Sequence, residues 1–195
     1  MNKKGILFVI TGPSGVGKGT VLAEVRRQKD VYFSISATTR QPREGEQDGV
    51  HYFFLTREQF EQKIAENGFL EHAEFSGNCY GTPAAPVDAH LEDGTDVILE
   101  IEVQGALKVM EKRPDAVFVF IAPPSMEELK SRIVGRNTET DDVIDKRMET
   151  AKWEVKNISK YTYAVVNDDI DKAARKLKTI VDAERLKVEK INLQF

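Results

Sequence analysis

The sequence predicts an α/β fold, a parallel β-sheet flanked by helices, with a phosphate-binding loop following its first strand. Three observations carry that prediction. Continuous apolar runs at residues 6–10, 97–99, 117–121 and 164–166 have the length of strands, and the absence of polar alternation marks strands buried on both faces. Helix-like stretches fall between them, and such alternation builds a parallel sheet with ligands at the carboxyl ends of its strands. Between the first run and the first helix stands Gly12-Pro13-Ser14-Gly15-Val16-Gly17-Lys18, the Gly-x4-Gly-Lys spacing of a phosphate-binding loop.

Each element can be justified in turn. Residues 6–10 form the first strand. The glycines that follow let successive backbone N–H groups curl round an anion, the helix start adds its positive dipole end, and Lys18 supplies a mobile cation. A glycine-rich turn without function explains the glycines but not a lysine at this offset. Gly19 stands where Ser or Thr usually ligates Mg²⁺, and Thr20 offers the next hydroxyl. A helix follows over about 21–28. Residues 34–82 then interrupt the alternation, with short β-like pieces at 52–55, a helix near 57–67 and many turn residues. The pattern resumes with helix 84–93, strand 97–99, helix 105–112 and strand 117–121. A second interruption, about 125–160, looks like a helical pair. Ser125-Met126-Glu127-Glu128 after Pro123-Pro124 is a capping-box start, and Ile144, Met148, Ala151, Val155 and Ile158 form the packing stripe of the longer helix. Strand 164–166 and a last helix over 170–190 close the pattern.

Composition bounds the function classes. The chain has 195 residues, 41% of them hydrophobic, enough for one domain with a real core. A net charge of −4 argues against broad nucleic-acid binding, which leaves a basic footprint. The single cysteine, Cys79, cannot form an internal disulfide, which suits a reducing compartment. Lys3-Lys4 ahead of residues 6–10 imitates a signal peptide, but the apolar run is too short and ends in the phosphate loop. No run is long enough to span a membrane. A soluble, cytoplasmic nucleotide-binding protein is expected.

The sequence resembles the guanylate kinase family over residues 5–187. The resembling segments are Thr11–Thr20, Ser36-Ala37-Thr38-Thr39-Arg40-Gln41-Pro42-Arg43, His51-Tyr52-Phe53-Phe54, Phe69-Leu70-Glu71-His72-Ala73, Gly77-Asn78-Cys79-Tyr80-Gly81-Thr82, Leu99-Glu100-Ile101-Glu102-Val103-Gln104-Gly105, Ile121-Ala122-Pro123-Pro124-Ser125 and Val165-Val166-Asn167-Asp168-Asp169. The resemblance implies a phosphate-loop kinase core (about 1–33, 83–124 and 161–195), a GMP-binding insertion (about 34–82) and a lid (about 125–160). It implies transfer of a phosphoryl group from Mg-ATP to GMP, and to dGMP as well, with ATP and GMP as the small-molecule partners. Oligomeric state is not indicated.

Residue chemistry can be weighed against that expectation. Two guanidinium forks, Arg40 and Arg43, can clamp one phosphate, and the resemblance adds Ser36 and Tyr52; a solvated basic turn beside Glu44 and Glu46 is the plain alternative. One carboxylate can accept both N1–H and the N2 amine of guanine, whereas adenine leaves it unpaired, so Glu71 is expected to choose the base. The Thr82 hydroxyl can donate to guanine O6, with Tyr80 and Gly81 beside it. The plain alternatives are an exposed helix-end carboxylate for Glu71 and a turn cap before Pro83 for Thr82. Glu100 and Glu102, two apart after an apolar run, are expected on one face of a strand. The resemblance gives Glu102 to the guanine edge and makes Glu100 an outer-shell partner of Mg²⁺, although the family often has Asp at both places.

On the donor side, Lys18 and the amides of Gly12 to Thr20 would hold the ATP phosphates. Arg132 and Arg136 lie four apart on one helix face, and Arg147 follows on the next helix. The resemblance assigns lid arginines to Arg136 and Arg147, with Arg132 the less specific expectation. Asn137 stands where the family has glycine, and Asn tolerates the left-handed turn. The adenine is expected near Asn167-Asp168. Three histidines and one cysteine show no metal-binding spacing, and no Ser/His/Asp set is evident. The rivals are a kinase for another nucleoside monophosphate and a non-catalytic guanylate-kinase-like binding module. Glu71 and Thr82 oppose the first, and the intact phosphate loop opposes the second.

Overall fold

In the computed structural model, residues 4–27, 30–135 and 140–190 are described. Strand β1 (Leu7–Thr11) is buried along its whole length, which its apolar sequence requires, because both faces of the sheet are covered. Phe8 and Ile10 point to one side, into a core shared with Val21, Leu22, Leu129, Ile144 and Leu177. Leu7 and Val9 point to the other, against Val87, Leu91, Leu99 and Val109. Full burial of each such side chain stabilises by about 1.5–3 kcal/mol.

The chain leaves β1 through the phosphate loop into α1 (Lys18–Arg26), then forms the edge strand β2 (Tyr32–Phe33). Strands β3 (Ala37–Thr38) and β4 (Phe53–Phe54), helix α2 (Arg57–Ala65), and the hairpin β5 (Phe69–Phe75) and β6 (Asn78–Pro83) follow. The main sheet resumes with α3 (Ala84–Glu92), β7 (Val97–Glu100), α4 (Val103–Lys112) and β8 (Val117–Ala122). Helices α5 (Met126–Val134) and α6 (Asp141–Lys156), a 3-10 turn at Ile158–Lys160, β9 (Tyr163–Val166), α7 (Ile170–Arg185) and a last 3-10 turn at Val188–Lys190 complete the order.

The main sheet has the order β2-β7-β1-β8-β9, and every pair in it is parallel. The chain lays β2 and β7 on one side of β1 and then β8 and β9 on the other, and in such sheets ligands bind beyond the carboxyl ends of the strands, where the phosphate loop follows β1. The second sheet has the order β4-β3-β6-β5 and its own small core of Ala37, Phe60, Phe69 and Cys79. Phe60 and Phe69 stack there with centroids 4.4 Å apart.

Several boundaries depart from the sequence expectation. Helix α1 begins at Lys18 rather than at residue 21, because Gly17 is its N-cap. Helix α4 begins at Val103, two residues earlier than expected, so Glu102 is its N-cap residue and lies beyond β7. The last helix ends at Arg185 rather than at 190. Strand β2 and the β5–β6 hairpin are additions, since Phe-Leu-Glu-His-Ala-Glu-Phe has neither a continuous apolar run nor strict alternation. The helical pair over 125–160 is present. Ser125 accepts from the Glu128 N–H at 3.1 Å, and Ile144, Met148 and Ala151 of the stripe are buried in the main core. The full capping box belongs instead to Thr56 and Gln59 at the start of α2.

Candidate active site

The phosphate loop is held from three directions. Gly17 has φ 91°, and a Cβ there would lie 2.8 Å from the Asn167 amide nitrogen, so both backbone and space call for glycine. The Asn167 side chain donates to the Val16 carbonyl at 2.7 Å. Arg132 of α5 reaches the same carbonyl at 3.5 Å and the Asn167 carbonyl at 3.2 Å, while its Nε donates to Glu128. Arg132 and Asn167 thus brace the loop, a use of both residues that spacing alone does not suggest. The Lys18 ammonium folds back to the Gly12 carbonyl at 2.6 Å. From α6, Arg147 donates to the Ser14 hydroxyl at 2.8 Å. One expected lid arginine is therefore on the loop; Arg136 and Asn137 lie outside the described residues. Asp168 is at the carboxyl end of β9, where its carboxylate accepts from the Asp169 N–H.

At the acceptor side, Arg40 is far from a solvated basic turn. Its NH1 and NH2 donate to the two oxygens of Glu46 at 3.0 and 2.9 Å, and NH1 also donates to the Gln41 carbonyl. The guanidinium lies over the Tyr52 and Phe54 rings, 5.4 and 5.9 Å from their centroids. Glu46 also accepts from the Arg43 N–H at 2.7 Å, and its carboxyl is lowered to about 2, first by Arg40 and then by that amide. Tyr52 and Tyr80 meet edge to face at 6.3 Å. Arg40, Arg43, Tyr52 and Tyr80 are thus gathered around one turn, and Ser36 adjoins them through its carbonyl, which accepts from the Phe53 N–H. Glu46, the residue that organises them, is identifiable in sequence only as part of a mixed-charge turn.

The second sheet brings Glu71 and Thr82 together. They are register partners on β5 and β6, and the Thr82 hydroxyl donates to the Glu71 carboxylate at 2.7 Å. Glu71 is buried on a strand, not exposed at a helix end. Burial raises its carboxyl above the ordinary range, opposed by the Thr82 hydroxyl and then by Lys108 and Lys112. Gly81 lies inside this hairpin, where a Cβ would sit 2.9 Å from the Glu71 carbonyl oxygen. Its evident service is to let the two strands close.

Glu100 ends β7 beside the loop, 3.8 Å from where a Cβ on Gly19 would stand. Desolvation raises its carboxyl and Glu102 adds to the effect, while Lys18 opposes it. Glu102 is exposed at the start of α4, so the expectation of one shared strand face is replaced by a strand end and a helix N-cap. Glu154 of α6 was not foreseen. It is buried, with its carboxyl pushed up to about 7 by desolvation and by Glu102, against Lys18. Its spacing from Ala151 and Ile158 puts it on the apolar stripe, a signal that a carboxylate faces inward.

A parallel sheet carrying this loop, with Arg147 of α6 reaching it and Arg40 and Arg43 gathered beside a second sheet, defines a phosphate-loop nucleoside monophosphate kinase. The guanylate kinase profile ("Guanylate kinase") matches residues 4–184. A guanylate kinase of Bacillus subtilis is 55% identical over 193 residues, covering 98% of this chain and 95% of its own length. One of Clostridium perfringens is 53% identical, covering 97% and 88%. The crystal structure of guanylate kinase from Anaplasma phagocytophilum superposes with TM-score 0.72 at 34% identity, covering 95% of this chain and 89% of that one. The chain belongs to the guanylate kinase family.

Proposed function

We propose that this chain transfers the γ-phosphoryl group of Mg-ATP to GMP, and to dGMP, giving ADP and GDP in purine nucleotide metabolism in the cytoplasm. The observation that carries the reading is the buried Glu71–Thr82 pair. Guanine N1–H and N2–H would replace the Thr82 hydroxyl on the carboxylate, freeing that hydroxyl to turn and donate to O6. The exchange keeps the carboxylate hydrogen-bonded with and without guanine, whereas adenine brings no donor at N1 or C2 and sets its N1 lone pair against the carboxylate.

In this reading residues 34–82 are the acceptor-binding insertion, 125–160 the lid, and 1–33, 83–124 and 161–195 the core. Arg40, Arg43, Ser36, Tyr52 and Tyr80 hold the acceptor phosphate, and Gly81 and Glu102 line the guanine site. The amides of Gly12 to Thr20 and the Lys18 ammonium hold the ATP phosphates, with adenine near Asn167. Arg147 and Arg136 neutralise charge on the transferring group. Phosphoryl transfer asks the protein chiefly for such positioning, and an already anionic acceptor oxygen requires no general base. Lid closure over the loop excludes water, so that ATP is not hydrolysed instead.

The donor chemistry fits Mg²⁺. A carboxylate that burial and Glu102 disfavour, as at Glu100, gains from a nearby divalent cation. No group of three metal-binding side chains occurs among the described residues, so ATP would supply the inner ligands, with Glu100 and the Thr20 hydroxyl in the outer shell. When bound, the ion would neutralise phosphate charge and orient the γ-phosphoryl group.

The test is ADP formation from Mg-ATP with GMP, AMP, CMP or UMP offered singly. Turnover with GMP alone is expected. Turnover with another monophosphate would discard the role of Glu71. Binding of ATP or GMP without turnover by any of the four would favour a binding module.

A further inference from the structure

We propose that Lys108 and Lys112 of α4 are positioning residues for recognition of the acceptor base, hooking the strand that carries Glu71 and stabilising its negative charge. The inference rests on Glu71 being the base-reading residue.

The geometry starts with an irregular strand. Strand β5 is an edge of the second sheet, paired only with β6, so its other side presents main-chain groups without ladder partners. The register shifts between Phe69 and Glu71. In a regular strand carbonyls three residues apart point to opposite edges, and one extra residue brings them to the same side. The carbonyls of Phe69 and His72, which bracket Glu71, both accept from one helix. Lys112 donates to Phe69 O at 2.9 Å, and Lys108 donates to His72 O at 2.7 Å.

These two lysines are four apart, and Gly105 stands one turn earlier on the same face of α4. A Cβ at Gly105 would lie 2.8 Å from Glu71 Oε2. The helix therefore offers Glu71 a slot at Gly105 and grips its strand on both sides with ammonium groups. The groups facing the carboxylate are the Thr82 hydroxyl and backbone N–H from β6 and the two lysines from α4. His72, its neighbour on β5, is disfavoured as a cation by burial and by the same two lysines. Lys108 and Lys112 are thus the cations that oppose burial at Glu71, and they act through space and through the backbone without touching the base.

The experiment compares wild type with a Lys108→Met/Lys112→Met variant, a Lys108→Met single variant and a Lys108→Arg/Lys112→Arg variant. The readouts are KM for GMP, KM for ATP and kcat between pH 5 and 9. Loss of both charges should raise GMP KM about three- to tenfold, a range set by partly exposed charge contacts, while kcat and ATP KM stay within about twofold. The acid limb of kcat/KM for GMP should move up by about half a pH unit. The GMP phosphate titrates identically in every assay, so a moved limb belongs to the protein. The single variant should show a smaller change of the same kind, and the arginine pair should restore both KM and the limb. An unmoved limb with unchanged GMP KM overturns the proposal, as does equal loss toward GMP and ATP. A Glu71→Gln variant separates the two layers. If it keeps full GMP preference, the base-reading role itself fails. If it loses that preference while the Met variants match wild type, only the lysine proposal fails.

Discussion

Glu71 shows how much one side chain carries. It is buried, raised by desolvation, and satisfied by Thr82 through its hydroxyl and backbone N–H, with cations close by on α4. Replacing it by Gln keeps the volume but turns one acceptor into a donor facing guanine's own donors. We expect Glu71→Gln to lower kcat/KM for GMP by about 10- to 100-fold, the cost of one mismatched buried polar contact. Steady-state titration of each substrate checks this, and KM for ATP should change far less. Arg40 is the second such residue. Glu46 occupies NH1 and NH2 of its guanidinium and the Tyr80 side chain bonds it as well, so an acceptor phosphate would share the guanidinium with these partners. Arg40→Met should raise GMP KM at least about tenfold with little change in ATP KM, given the strength of charge-assisted bonds to phosphate. An unchanged GMP KM would return Arg40 to a structural pairing with Glu46. The types of these residues were legible in the sequence, because chemistry restricts what can hold a phosphate or read a guanine edge. Their partners were not. Glu46, Lys108 and Lys112 act across turns and between elements, and a linear pattern has no record of which carbonyl an ammonium reaches.

The elements divide along the same line. Strands β1, β7 and β8 were readable because burial on both faces leaves an unbroken apolar run, whereas β9 shows such a run although it is an edge strand that buries only Val165. The β5–β6 hairpin was not, since β5 buries only Phe69, Leu70 and Glu71 before it runs into solvent. Its turn has positive φ at Ser76 and Gly77, which sequence shows only as one more polar stretch. Some contacts that lock elements together were equally silent. Asp96, just before β7, accepts from the Ile6 N–H at 2.8 Å and from Arg185 Nε at 2.5 Å, joining the entries of β1 and β7 to the end of α7. Its side chain is 5% exposed and that of Arg185 is 38% exposed, so the aspartate is the member that water cannot replace. Asp96→Ala leaves a buried N–H without its partner and takes one carboxylate away from the Arg185 guanidinium. It should destabilise the fold by about 2–4 kcal/mol, measured by urea denaturation. Since Asp96 bonds at the amino ends of β1 and β7, the ends away from the phosphate loop, kcat of the folded fraction should be retained. A drop in kcat at unchanged stability would mean that this clasp reaches the site.

At the scale of the whole molecule, stability should depend on pH through a group that the reaction does not use. Helix α6 has its stripe in the main core, sends Arg147 to the phosphate loop, and buries Glu154 where Lys18 and Glu102 are both felt. The Glu154 carboxyl is pushed up to about 7 from an ordinary 4.5, first by desolvation and then by Glu102. In the unfolded chain it releases its proton near 4.5, so between there and 7 the folded state binds more protons. By linkage, this group's contribution is fully present below the unfolded value and falls as pH rises through about 7. Desolvation raises the carboxyls of Glu71, which is buried, and of Glu100, which is exposed at the end of β7, and adds the same sign. Glu46, lowered to about 2, works oppositely: its contribution is present above 4.5 and is lost only as pH falls toward 2. His72, disfavoured as a cation, opposes the raised carboxyls inside the range from pH 5 to 8, so the share of Glu154 is read by difference against a variant that lacks it. For Glu154 alone the change is on the order of 2 kcal/mol. A Glu154→Gln variant removes the titration while keeping the shape. Urea denaturation at pH 5, 6, 7 and 8 should find wild type losing stability relative to the variant as pH rises, with most of the gap opening by pH 7. Parallel curves would show that Glu154 is charged in the folded state throughout. The charge that develops above pH 7 lies on the helix that also bears Arg147, within the electrostatic reach of Lys18 and Glu102.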